Sequence, residues 1–408
     1  MVYTVPPIIF MDDVSGNISK QWNQHHVIYM LNANLPCEML EKEFFVRFVT
    51  SSPHVAPMEL MRAMKQSISF VATSGVVAWD CKDNEEVLLI PCGLFLAGDN
   101  PMQAEECSHA GLNCNYFCWT CDIGGTKEFK ASENGYSSLF TVSIQEICEH
   151  QKALQTTNIR QQFETALKSG VTEKIKNLVS TTGIRDMAST SIINTLVELG
   201  KKLRKRAAGT QAMSEADVTA ALEKEFEELL RGNTLDDTIN PLLGMDGLNM
   251  HMDTPTEILH TVLLGVVKYF WGQTVFLLEK AKLMDIFQTH LHSVDTDGLN
   301  APCLGADYIC HYKGSLIGKH FKSLAQVMLF LIYDLVPSTV LDAWTIIGEL
   351  VVLVWHTNIL NMEAYLVSLY ANIDSRSHAE SFRQSYLERS RISLTSRHNA
   401  PPVSLSAS

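Results

Sequence analysis

A chain of 408 residues, 46% hydrophobic and 19% charged, is long enough to bury a sizeable core and to hold two or three domains. Its formal net charge of −13 argues against a general nucleic-acid coating protein, which would be basic, and leaves room only for a local basic groove. No apolar run reaches the ~18 residues that a bilayer crossing needs; residues 346–355 come closest and are interrupted by Glu349. No basic segment leading into an apolar one opens the chain, so the expectation is a nuclear or cytoplasmic protein with no membrane partner, not a secreted one. Cys92, Cys107, Cys114, Cys118 and Cys121 crowd into one stretch. That is not the spread of a disulfide framework, and it points to a reducing compartment.

Residues 6–11 are a short apolar run, followed by a turn-like Asp-Val-Ser-Gly-Asn. Residues 26–31 and 44–50 are rich in strand formers, the second closed by Ser51, Ser52 and Pro53. After Pro57, Leu60, Met61, Met64, Ile68 and Val71 recur at helical spacing. Residues 87–96 are almost wholly apolar, the pattern of one strand buried on both faces. The predicted order is β-β-β-α-β, the start of a mixed α/β sheet. Beyond about residue 141 the pattern turns helical. Helices are expected over 143–169, from the capping Ser214 to Gly232, and over 256–278, 324–335 and 341–355. The domain reading is an α/β core over 1–140 with a Cys-rich segment at 107–121, a helical domain over 141–372, and a disordered serine-rich tail over 373–408.

Two acidic clusters end apolar runs: Asp12 with Asp13, and Asp99. Carboxylates from neighbouring strands can hold a pair of Mg²⁺ or Mn²⁺ ions about 4 Å apart for phosphodiester chemistry. Side chains alternate along a strand, so only one of Asp12 and Asp13 points into such a site, and the register leaves the choice open. The competing reading makes each Asp a turn or cap residue, as Asp99-Asn-Pro suggests. His109, Cys114, Cys118 and Cys121, with Cys107 in reserve, are a donor set for tetrahedral Zn²⁺. The alternative is a group of reduced cysteines beside Tyr116, Phe117 and Trp119. Lys201, Lys202, Arg204, Lys205 and Arg206 form the one dense basic run, a DNA-phosphate contact or import signal set against a solvated helix face. His260 reads as a core histidine, and Glu349 and Glu363 as ordinary helix carboxylates that would in principle complete an acidic triad.

Three segments carry a resemblance: Asp12-Asp-Val-Ser-Gly-Asn17 with Ser19-Lys-Gln-Trp-Asn-Gln-His25; Gly98-Asp-Asn-Pro-Met-Gln-Ala-Glu-Glu-Cys-Ser-His109; and Asp253-Thr-Pro-Thr-Glu-Ile-Leu-His-Thr-Val-Leu-Leu-Gly-Val-Val-Lys268. They resemble transposase-derived proteins of mushroom-forming fungi (basidiomycetes), which are similar to the CACTA (En/Spm) class of DDE DNA transposases. The resemblance spans roughly residues 5–370. It implies an RNase H-like core in which Asp12 or Asp13, with Asp99, binds Mg²⁺. Water and then a DNA 3′-hydroxyl would attack phosphodiesters at element ends. It also implies a Cys-rich segment after the second Asp, matched by residues 107–121, and a Cys-or-Asp-x-x-His element for which Glu106-x-x-His109 stands here. The pattern departs at its end: the class carries its third acid in a Phe-x-Glu-Arg-Tyr-like element, and after Leu366 the nearest string is Leu387-Glu-Arg-Ser. The expectation is therefore an inactive, transposase-derived relic truncated at both ends. The alternatives are a host-coopted DNA- or protein-binding module and a residual metal-dependent nuclease using Glu349 or Glu363.

Overall fold

The computed structural model describes residues 1–15, 24–121, 123–138, 148–168, 172–205, 213–295, 304–356 and 358–374. The chain divides into two units, Met1–Thr256 and Glu257–Ser408.

The first unit opens with strands β1 (Val2–Val5), β2 (Pro7–Ser15), β3 (Gln24–Asn32) and β4 (Arg47–Ser52), then helix α1 (Pro57–Ser74). Strands β5 (Val76–Asp80), β6 (Glu85–Pro91) and β7 (Phe95–Ala97) and helix α2 (Asn100–Glu106) follow. The strands make two mixed sheets, ordered β4-β3-β2-β7 and β1-β6-β5. In the larger, β3 is antiparallel to both β2 and β4, and β7 is parallel to β2. In the smaller, β6 runs parallel to β1 and antiparallel to β5.

Two expectations change. Residues 44 and 45 belong to a short 3₁₀ turn, Glu43–Phe45, and the strand begins at Arg47. The run 87–96 is not one doubly buried strand. It divides into β6 and β7, which pair in different sheets. The break sits at Pro91-Cys92-Gly93: proline cannot donate to a ladder, and Gly93 adopts φ +77°. The two parallel pairs nevertheless run on from each other. Val5 lies opposite Pro91, Ile8 opposite Phe95, and the register slips by one residue between them.

Alternation along β2 sends Ile9 and Met11 into a core with Ile28, Leu96 and the α1 residues Met58, Leu60 and Met61. The other face carries a row of rings, Phe10 to Tyr29 at 6.4 Å and Tyr29 to Phe48 at 6.1 Å. Helix α1 starts as its sequence suggests. Pro57 occupies the first turn, and the Glu59 carboxylate accepts the Ala56 N–H at 3.1 Å.

The helices that follow share this core. They are α3 (Cys148–Leu167), α4 (Thr172–Thr182), α5 (Met187–Arg204) and α6 (Glu215–Leu230). Ile159 and Phe163 of α3, Ile193 and Leu196 of α5, and Val218 and Leu222 of α6 pack with Ile9 and Met11. The units part after Thr256, so these helices fall in the same unit as the sheets and share one core with β2 and β3. Ser214 caps α6 as expected, and the helix ends at Arg231 and Gly232, both with positive φ.

The second unit is helical. A π-helical segment, Leu259–Val267, runs into α7 (Lys268–Ala281), followed by α8 (Met284–His292), α9 (Ala306–His311), α10 (Gly318–Leu331), α11 (Ser338–Val354) and α12 (Met362–Asp374). Its core holds Trp344, whose indole N–H donates to Thr274 at 2.8 Å. The continuous helix Leu259–Ala281 is long and apolar enough, by length and composition, to cross a bilayer; Lys268 interrupts it, so it does not stand out as one apolar run in the sequence. Leu263, Val267, Phe270, Trp271 and Leu278 spend that apolarity on the unit's own core. The serine-rich tail lies outside the described residues from 375 onward.

Candidate functional site

Strands β2 and β7 are parallel neighbours; β7 ends at Ala97 opposite Phe10, and aspartates follow this last pair in both segments, Asp12 and Asp13 within β2 and Asp99 just beyond β7. Asp12 sits opposite Val27 and Asp13 opposite His26. By alternation Asp13 continues the Ile9 and Met11 face, and Asp12 the Phe10 face. Asp12 Oδ1 accepts the Asp13 N–H at 2.7 Å. Asp99 caps α2, its Oδ1 accepting the Met102 N–H at 2.9 Å. The chain leaves β7 through Gly98, where a Cβ would stand 3.0 Å from the Met11 carbonyl oxygen; the two strand ends are in close contact. Among the described residues, no three His, Cys, Asp or Glu side chains come together as a metal cage.

The Cys-rich segment folds into a loop held by two histidines. His109 Nδ1 accepts the Gly111 N–H at 3.0 Å, which leaves the proton on Nε2 to donate to the Tyr116 carbonyl at 2.8 Å. Burial lowers its pKa and keeps the ring neutral. Cys114 Sγ lies 3.8 Å from His109 Nε2 and shares the Tyr116 carbonyl. His251, 3% exposed, bonds through Nδ1 to the Trp119 carbonyl, and its Nε2 lies 3.2 Å from Gln155 Oε1. Gln155 in turn donates to the Cys107 carbonyl at 2.9 Å.

Hydrogen bonding from Cys121 pulls the Cys118 thiol down to about 6, so it is a thiolate at neutral pH. Burial pushes the Cys114 thiol up, and the Cys107 thiol far up. Cys107 donates to the Met250 carbonyl and behaves as a core residue. His109, Cys118, Trp119, Gln155 and His251 line a cavity of about 300 Å³. Of these, sequence reasoning missed His251. It lies more than a hundred residues downstream, and no local spacing links it to the cysteines.

Glu106 and His109 do not act together. The Glu106 side chain is fully buried, and neither carboxyl oxygen has a hydrogen-bond partner. Burial first, then Glu105 and Asp99, hold its pKa well above the ordinary carboxylate value. Gln103 Oε1, three residues away in sequence, is also buried without a hydrogen-bond partner. Gln103 ties α2 to the Pro255 carbonyl at 2.7 Å.

The basic run lies at the end of α5. Lys201 is paired with Glu198 at 2.6 Å, and Arg204 reaches the Gly200 carbonyl at 2.8 Å and Glu215 at 3.4 Å. Lys202 and Lys205 are exposed, and Arg206 lies outside the described residues. A second cationic group, Arg62, Lys65 and Arg160, lines a cleft of about 750 Å³. Its charges are already engaged: Arg62 and Lys65 donate to the Ile239 and Pro241 carbonyls, and Arg160 holds both oxygens of Asp236. His260 is not a core residue. It is half-buried on a pair with Glu257 at 2.9 Å. Glu349 on α11 and Glu363 on α12 are exposed. No family model matches the chain, and no curated protein matches it.

Proposed function

We propose that this is a transposase-derived protein whose first unit is an RNase H-like core for DNA phosphodiester chemistry, now catalytically silent. The observation that carries the reading is the parallel pair β2 and β7, flanked as β4-β3-β2-β7, with aspartates in both segments within three residues of its last pair, Phe10 opposite Ala97. Catalytic groups on rigid neighbouring strand ends are held in fixed register. Asp13 is the better partner for Asp99. It shares the face of Ile9 and Met11, against which Met102 of α2 also packs, and Asp99 caps that same helix. Asp13 and Asp99 would hold Mg²⁺ or Mn²⁺, which when bound supplies Lewis-acid stabilisation at the attacking and leaving oxygens. Two carboxylates, one of them committed as a helix cap, make a weak site for a cation that prefers six oxygen ligands.

The test is nicking of supercoiled DNA by the full chain in Mg²⁺ and in Mn²⁺. The expected result is no nicking above that of the Asp13→Asn, Asp99→Asn double variant. Nicking that Asp99→Asn abolishes overturns the silent assignment and favours a residual nuclease.

A further inference from the structure

We propose that the cleft lined by α1, α3 and residues 233–244 is a binding site for the phosphate group of a phosphate ester, with Arg62 and Lys65 as its two cationic contacts. The two stand three residues apart on α1 and so lie on one face of that helix. Each is tied to the 239–241 chain by one hydrogen bond, Arg62 to the Ile239 carbonyl at 3.0 Å and Lys65 to the Pro241 carbonyl at 2.7 Å. A carbonyl orients a cation without neutralising it. A guanidinium has five N–H donors and an ammonium three, so most of both sets is left for a ligand.

The charge balance of the cleft points the same way. Among the described residues neither Arg62 nor Lys65 makes an ion pair. The carboxylates lining the cleft are committed elsewhere. Arg160 holds both oxygens of Asp236, and Asp237 accepts the Thr234 N–H at 2.9 Å and its hydroxyl at 2.7 Å. Asp246 favours the charged Lys65 without pairing with it. What stays unbalanced is a pair of like charges, half-buried and one helical turn apart, in a chain of net charge −13. Burial first, and then Arg62, lower the Lys65 pKa. A ligand with two or more negatively charged oxygens relieves such a pair, and an arginine fork beside a lysine point charge suits phosphate.

Gly244 leaves the approach open. It ends the 3₁₀ turn Pro241–Gly244, and its φ is not positive, so its backbone does not call for glycine. A Cβ there would meet one group within 4 Å, Lys65 Nζ at 3.9 Å. The missing side chain therefore keeps the ammonium uncovered. Ser69, Thr156 and Asn233 line the same cleft and add neutral partners for sugar hydroxyls, and a volume of about 750 Å³ is that of a small-molecule site.

The test is isothermal titration calorimetry of the full chain, at low and constant ionic strength, with inorganic phosphate, adenosine 5′-monophosphate, adenosine and a duplex oligonucleotide. Saturable binding of the monophosphate and of phosphate, and none of adenosine, is expected. Arg62→Gln and Lys65→Gln should each weaken that binding by about tenfold or more. Both substitutions also remove a tie to the 239–241 chain, so Gly244→Leu is the second variant; it keeps both charges and should weaken binding by covering Lys65. In wild type, phosphate should raise the lowered Lys65 titration, read by NMR of the lysine ε-methylene. Duplex binding that the same three variants weaken, without binding of the monophosphate, assigns the phosphate to a DNA backbone. Saturation by none of the phosphate-bearing probes, adenosine binding as tight as that of its monophosphate, or binding unchanged in Arg62→Gln and Lys65→Gln overturns the proposal. None of these readouts depends on DNA nicking.

Discussion

Replacing Glu106 with glutamine should stabilise the protein at neutral pH, and the gain should grow as pH rises. The Glu106 carboxyl is fully buried with both oxygens unpartnered, and its pKa lies well above the ordinary 4.5. Between the ordinary value and the raised one, the folded state holds a proton that the unfolded state releases. The unfolded state binds fewer protons there, so wild-type stability falls as pH rises, by about 1.4 kcal/mol per pH unit for this group. The fall stops only when pH passes the raised, folded-state value. Glutamine has nearly the same volume and no charge to desolvate, so that slope disappears. Glu105 and Asp186 also have raised values, but they are present in both proteins and cancel in the difference. Urea unfolding of wild type and Glu106→Gln, in steps from about pH 5 to about pH 8, reads the slope directly. Curves that stay parallel over that range would refute the reasoning, since they would mean that Glu106 has a charge partner in the folded protein.

Asp99→Ala removes the cap of α2 and should cost about 0.5–2 kcal/mol in unfolding experiments, whereas Asp99→Asn, which caps as well, should leave stability within a few tenths. A loss of Mn²⁺ affinity in both variants, with a loss of stability in only the first, separates the metal-binding role from the capping role. In chelator-treated protein, Cys118 should be alkylated faster than Cys114 or Cys107, with a rate that rises through about pH 6; peptide mass spectrometry of an iodoacetamide time course checks both the order and the pH.

Much of the first sheet could be read from residues, because runs such as 26–31 and the helical spacing of Leu60, Met61, Met64 and Ile68 are local signals. The run 87–96 could not be read as composition alone. Apolar content shows that a segment is buried but not which partner buries it, and the usable signal was the Pro91-Cys92-Gly93 break. The short strands β1 and β5 carry too few residues for any period to show. Asp99 was legible as standing at a strand end, whereas Asp12 and Asp13 lie inside β2, which runs on to Ser15; pairing supplied what the pattern lacked, the faces of Asp12 and Asp13. His251 was illegible for another reason: a residue whose partners lie on a distant loop leaves no trace in its neighbours. Glu106 misled for the same reason, since its motif spacing suggested a partnership with His109 that burial prevents.

The one-residue slip between the paired runs β1–β2 and β6–β7 sets a rule for how this chain can change in evolution. Surface connections usually accept insertions and deletions, and the turn between β5 and β6 joins two exposed strand ends that can be lengthened freely. The passage of three residues between Pro91 and Phe95 is different, because it carries the phase of the pleat from one sheet into the next. Gaining or losing a residue there would exchange Phe95 and Leu96 between faces, pushing a half-exposed ring into the core and a fully buried leucine out of it. Length at this point is therefore inherited as strictly as residue identity is in the core, and alignments of relatives should show substitutions across Cys92 and Gly93 but no gaps.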